Sequence, residues 1–386
     1  MKRAMLAAIG LLSVSVFVLA AAAAGGTTRY VSPSGVDNPA CSKHSPCKHV
    51  QHAVDVASAG DTISLARGTY VEQVSIAKDL TLTGAGPGAS TISAPAVLVP
   101  DSQGFLNIVE VNSGASVRMS RLAVAGPGPG ACNSIDRGIS VIDGASLAIT
   151  RAAVSDIRDN PLSKCNNGFD VGAGTQHGDT PTDPEVGHLT IDHTTLTGYQ
   201  RAAIFVAGDG STGQIDHNTV KGAPGSGPGG IGVFFGASAT IDHNTISGNH
   251  CNDPDLPCGP DWFNNAQSFG VLMIGAASST VVSHNSLNAN DVGIYTDTGA
   301  TIDHNDVASL WFGIATDYGN AAQVDHNSTT GGIYGIFDLG GTGTFSHNSA
   351  SGSSVADLWW DGTGTPSFSH NRCGTASPSK AVWGCR

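Results

Sequence analysis

Apolar and polar residues alternate in short runs over much of the chain. Val292-Gly293-Ile294-Tyr295-Thr296 gives way to Thr301-Ile302-Asp303 and then to Asp306-Val307. Alternation of period two is a strand signal, and no window here has helical spacing long enough to compete. Gly, Asn, Asp and Ser separate the runs, as turns require. A short phrase recurs with the strands: Ile215-Asp216-His217-Asn218, Ile241-Asp242-His243-Asn244, Val282-Ser283-His284-Asn285, Ile302-Asp303-His304-Asn305, Val324-Asp325-His326-Asn327, Phe345-Ser346-His347-Asn348 and Phe368-Ser369-His370-Asn371. Its copies stand 20 to 26 residues apart, with one interval of 41. A fixed period of this size means stacked units. Three short strands cannot bury a face alone, but coils stacked about 4.8 Å apart can. The pattern predicts an all-β, single-stranded parallel β-helix.

The terminal Asn of each phrase fits that geometry. Asn tolerates a left-handed bend, and its amide can bond to the same amide in the coils above and below. A buried amide is stable only when so satisfied. The preceding His forms a column of seven rings, eight with His193. Stacked, partly exposed rings are the expected reading, because metal sites converge several ligands on one point whereas a ladder spreads them along an axis. A metal strip is the alternative.

The first half differs in pattern. Met1-Lys2-Arg3 and the apolar run from Ala4 to Ala24 read as a signal peptide over residues 1–24, against a retained membrane anchor. No other stretch is apolar enough to span a bilayer. Residues 25–60 hold a first strand, Thr28-Arg29-Tyr30-Val31-Ser32, a loop between Cys41 and Cys47, and a helical face of Val50, Ala53, Val54 and Ala57. A short helix there would plug the open end of the solenoid, as terminal units need. The repeats are expected over 61–371 and a disulfide-closed tail over 372–386. Eight Cys in an exported chain imply paired disulfides. Near neighbours suggest Cys41–Cys47, Cys251–Cys258 and Cys373–Cys385, which leaves Cys132–Cys165, among 105 possible pairings. An extracellular location follows.

Formal charge is −13, and no Lys or Arg lies between Lys221 and Arg372. Nucleic acid and anionic membranes are therefore poor partners. The acidic C-terminal half also argues against a polyanion lying along the whole rod. A monomer is expected.

Tyr30-Val31-Ser32, Ala53-Val54, Gly60-Asp61-Thr62-Ile63, Gly68-Thr69-Tyr70 and Leu80-Thr81-Leu82-Thr83-Gly84 resemble the entry segment of the right-handed parallel β-helix, pectate-lyase-like superfamily, and the later phrases resemble its coil repeat. The resemblance implies a right-handed coil and an extracellular protein, in a superfamily of lyases, hydrolases, esterases and epimerases. It does not fix the chemistry. Gly68-Thr69-Tyr70-Val71-Glu72-Gln73-Val74 is similar to pectin esterases, but their Asp-Phe-Ile-Phe-Gly signature is missing. The polygalacturonase signatures and the alginate-epimerase Asp-Pro-His are missing too.

Function is expected where coils bulge into loops: 156–188, 222–230 and 250–267. Aligning the strands that open each coil puts Arg137, Asp170 and Arg201 in one groove, with Lys164 and His177 near. Cations beside a base suit proton abstraction next to a carboxylate, so these three are the candidate catalytic residues of a polysaccharide lyase. Surface charges at coil corners are the plainer reading. Asp297, Asp317, Asp338 and Asp361 form a second column that could supply paired acids to a glycosidase. Tyr295 and Trp311, with Trp359 and Trp360, offer sugar-stacking faces. Asp253, Asp255 and Asp261 could hold Ca2+ through hard oxygen ligands; no other cofactor is expected. A non-catalytic protein that binds glycan or a surface partner remains the competing hypothesis.

Overall fold

A computed structural model describes residues 26–175, 185–222, 229–251, 257–317, 319 and 321–386. The leader over 1–24, His177, Asp253 and Asp255 lie outside the described residues. Three parallel sheets of thirteen, twelve and twelve strands run the length of the molecule. The first begins at Thr28–Val31 and ends at Ser367–Ser369. The second begins at Val74–Ile76 and closes at Ala376–Ser377. The third runs from Gly68–Val71 to Arg372–Cys373. Each coil passes through the second sheet, the first and the third in turn. Alternation sends one set of side chains inward: Ile204, Ile231, Val271, Ile294, Ile314 and Ile336 stack in register from the second sheet, all essentially buried. Ile215, Ile241, Val282, Ile302 and Val324 do the same from the first.

The corner between the first and third sheets carries the repeated phrase. Asn218, Asn244, Asn285, Asn305, Asn327, Asn348 and Asn371 are at most 2% exposed. Each Oδ1 from Asn244 onward accepts the backbone N–H of the Asn one coil before, at 2.9–3.0 Å, and that residue's Nδ2, at 3.0–3.2 Å. One detail differs from the expectation. The left-handed residue is the His, not the Asn, with φ between 47° and 55° at His193 and at the seven His of the repeats. The bend must come one position earlier so that the amide points into the coil. His is among the residues that tolerate this region, and its ring is thrown outward.

Glycine marks the corner where the third sheet turns into the second. A Cβ on Gly313 would stand 2.3 Å from the carbonyl oxygen of Gly335, and one on Gly293 would stand 2.4 Å from that of Gly313. Neighbouring coils approach too closely there for any side chain.

Both ends are covered. The helix α1 (Val50–Val56) buries Val50, Ala53 and Val54, and the Glu72 carboxylate accepts the N–H groups of Val50 and Gln51 at 2.9 Å. That carboxylate takes up donors that a helix start otherwise leaves unpaired. At the other end, buried Trp383 packs on Phe345 and Phe368, and its carbonyl accepts from Asn371, the last amide of the ladder. Disulfides join Cys41 to Cys47, Cys132 to Cys165, Cys251 to Cys258 and Cys373 to Cys385.

Candidate functional site

The outward positions of the second sheet form two rows. Arg137 stacks on Phe169, and Phe169 on Ala202; two residues further along each strand comes the inward Ile or Val, and then Phe205, Gly232, Leu272 and Tyr295 in order. These rows are aromatic where solvent-facing strands are commonly polar. Phe169, Phe205 and Phe234 lie in succession with ring centroids 5.2 and 5.3 Å apart. Together with Phe105, Phe235 and Phe269 they line a groove of about 340 Å³. Its polar lining is Asp136, Arg137, Asn166, Arg201 and Gln267.

Arg137 is 3% exposed. Its guanidinium lies 4.4 Å from the centroid of Phe105 and 5.8 Å from that of Phe205, and donates to Ser140 Oγ at 3.2 Å. The ring faces offset part of the cost of burying the charge. Arg201 lines the same groove and is exposed. Asp136 lies in the groove beside Arg137. Burial pushes its carboxyl above the usual range, while the Leu106 N–H, 2.7 Å away, and Arg137 pull it back.

Two loops build the rim. Asp159 is fully buried between them and accepts from Ser134, Asn167, Gln200 and Ser163. These bonds more than offset its burial and hold its carboxyl below the usual range. The Cys132–Cys165 bridge ties the same loops. Lys164 is exposed on the second of them, two residues before Asn166 of the groove.

Asp170 does not join this site. Phe169, not Asp170, pairs with Arg137, so Asp170 falls one position on. A one-residue step along a strand reverses the face. Asp170 is 0% exposed, and neither carboxylate oxygen has a hydrogen-bond partner. Burial drives its carboxyl well above the usual range and Asp156 adds to the shift. The second column breaks for the same reason: Thr316 pairs with Asp338, so Leu339 takes the place between Asp317 and Asp361. Asp338 is buried and accepts from Thr316 at 2.7 Å. The column is therefore interrupted at Asp338, while Asp297 and Asp317 directly follow the paired residues Thr296 and Thr316 on adjacent coils.

Tyr295 continues the outer row beyond Leu272, but Trp262 covers it, at 5.5 Å between centroids. The same indole rests on Phe312 and Phe337. The Tyr295 hydroxyl donates to Asp317 at 3.0 Å. Trp311 is partly buried against the same aromatic cluster. Asp261 is exposed, and its carboxylate is taken up within its own loop by the N–H groups of Phe263 and Asn264 and the Asn264 amide. Asp253 and Asp255, the other two residues of the expected calcium set, lie outside the described residues.

Residues 185–372 match the family described as right handed beta helix region. The chain carries a right-handed parallel β-helix. Solved structures of similar fold include an alginate lyase from Paenibacillus sp. str. FPU-7, at 14% identity, 89% of this chain, 99% of that chain and a TM-score of 0.43. A mannuronan C-5 epimerase A-module from Azotobacter vinelandii gives 13% identity, 90% and 100% coverage and a TM-score of 0.43. The Agl-KA catalytic domain gives 14%, 88%, 68% and 0.46. A search of curated proteins by sequence gave no match.

In this β-helix the loops that rim the groove all leave the third sheet and return to the second. Among the described residues no helix is long and apolar enough to cross a membrane. Sequence reasoning missed Asp136 and the Phe row. Phe169, Phe205, Phe234 and Phe269 lie at three different strand positions, so no repeat marks them, and phenylalanine in a strand ordinarily reads as core.

Proposed function

We propose that the protein works outside the cell and binds a short stretch of acidic polysaccharide across the second sheet. The observation that carries this reading is the groove itself: a buried and an exposed arginine in a cleft lined by mostly half-buried phenylalanine rings. Sugar rings present apolar C–H faces to aromatic side chains, and a uronate carboxylate is matched by guanidinium donors. Four disulfides support an oxidising compartment. The molecule's net negative charge limits the contact to the groove, so a short oligouronide fits better than a long polyanion.

Asp136 favours lyase-type cleavage as the second reading. A carboxylate whose basicity is raised by burial, held beside Arg137, is suited to take the proton from the carbon next to a uronate carboxylate. Arg201 and Arg137 would stabilise the charge that develops on that carboxylate. The glycosidic C–O bond then breaks, the oxygen leaves with a proton from water, and a carbon–carbon double bond remains in the product.

Affinity gel electrophoresis on alginate, polygalacturonate and neutral xylan separates these outcomes. Retardation on an acidic glycan, weakened by salt and reduced about tenfold or more in Arg201→Ala, is expected; equal mobility on all three overturns the binding reading. Ultraviolet absorbance of the unsaturated product tests cleavage, which Asp136→Asn should abolish while leaving retardation in place.

A further inference from the structure

The corner opposite the groove carries a second array that glycan binding does not use. Eight imidazoles, from His193 to His370, stack face to face with centroids 4.7–5.2 Å apart and planes within 11° of parallel. In the seven described ion-pair contacts of this column the side chains are about half exposed, 45–54%. Nδ1 of His193, His217, His243, His304 and His326 lies 2.7–2.8 Å from the carboxylate of the Asp before it. Where Ser replaces that Asp, the ring reaches back one coil: His284 to Asp242 and His347 to Asp325, both at 3.2 Å. Ser283 and Ser346 donate to the same two carboxylates.

The chemistry of the pair fixes the tautomer. An ionised carboxylate only accepts, so a neutral ring in contact with it carries its proton on Nδ1. The lone pair is then on Nε2, the nitrogen left for a ligand. A carboxylate behind the imidazole is the usual outer partner of a metal-bound histidine, because it orients the ring and raises its basicity. Here the fold repeats that arrangement on successive coils, and the left-handed bend at each His points every ring the same way. We infer that the histidine column is a binding strip for a borderline divalent cation such as Zn2+ or Ni2+, each ion held by Nε2 of two rings on adjacent coils with water completing its shell.

Distances support this and limit it. Four clusters bring an Asp and two His within 4.8 Å of one another: Asp216 with His217 and His243, Asp242 with His243 and His284, Asp303 with His304 and His326, Asp325 with His326 and His347. Two nitrogens at about 2.1 Å from one ion stand at most about 4.2 Å apart. The stacked rings of these clusters, 4.7–4.9 Å apart between centroids, must therefore tilt toward one another until both Nε2 lone pairs meet the ion, a movement open to half-exposed side chains. His243 belongs to two of the clusters and His326 to two others, so one ion of each overlapping pair binds at a time. That gives two ions per chain at these clusters. The remaining cluster, Cys41 and Cys47 with His52, offers no thiolate, because its cysteines are bridged.

Calorimetric titration of ZnCl2 into the full chain tests the assignment. Saturation near two ions, with a rise in Tm, is expected. His243→Asn combined with His326→Asn keeps a residue that tolerates the left-handed bend and should weaken uptake at least tenfold with an unchanged circular dichroism spectrum. Asp242→Asn with Asp325→Asn should weaken it about 10–100-fold by releasing the rings. Uptake that does not saturate, or that is the same in the histidine variant, overturns the proposal. If that variant fails to fold, carbethoxylation of the unaltered protein decides. Zn2+ should protect His217, His243, His304 and His326 and leave His44 and His188 reactive; equal labelling with and without metal refutes the strip.

Discussion

Phe169 and Asp170 are chain neighbours that do opposite things. The phenyl ring forms the floor of the groove, and the carboxyl is sealed inside the coil with no hydrogen bond to either oxygen. The raised position of that carboxyl has a definite sign. The folded state holds a proton that the unfolded chain releases above about pH 4, so the stability linked to this group is full at low pH and falls as pH rises toward the folded value. Asp170→Asn removes the titration at nearly constant shape. Chemical denaturation across pH 4–8 should show the variant gaining on the unaltered protein as pH rises. A constant difference would mean that Asp170 is not protonated in the fold.

At the scale of the element, the asparagine ladder is the part that cannot be exchanged. Asn305 donates to the carbonyls of Val282 and Asp303 and to Asn327, and accepts from both nitrogens of Asn285. Asn305→Ala leaves several of these buried groups unpaired, at about 1–3 kcal/mol each. A loss of roughly 3 kcal/mol or more is expected in urea unfolding. Replacing an outward residue of the same coil, Thr301, should change stability by less than about 0.5 kcal/mol. The first sheet shows why the ladder was readable from the order of residues alone: each Asn stands between apolar residues that can only point inward, so its own direction follows. The second sheet offered no such mark. Gly138, Asp170 and Ala203 sit where the strand bends out of strict alternation, and an alignment made by counting residues slips there by one.

For the whole molecule, stability is a chain of nearest-neighbour contacts between coils, so the ends matter more than their size suggests. Trp383 closes the last coil, and its carbonyl completes the hydrogen bonding of Asn371. Trp383→Ala should cost about 3–5 kcal/mol at that end. Amide exchange should quicken at Asn348 and Asn371 while Ile215 and Asn218 stay protected; uniform quickening would mean the rod unfolds as one unit. The same one-dimensional build separates the two proposed sites. The groove lies on the second sheet and the histidine column on the corner between the first and third, so a substitution in one should leave the other unaffected.

The sequence by itself determined the coil. A phrase returning every 20 or so residues, apolar alternation and an amide at each return admit one way of burying their side chains, and local rules suffice to see it. Tertiary structure alone decided which loop residues share a groove. Arg137, Arg201 and Asp136 meet Phe205 and Phe234 because strands from different coils come into a register set by bends and backbone contacts between coils. The histidines, and the Asp that precedes five of the bonded rings, were visible in the sequence, but only stacking in three dimensions brought His284 and His347 to a carboxylate one coil back and set the rings parallel. Packing against the neighbouring coil, which no single repeat contains, is the physical reason for both outcomes.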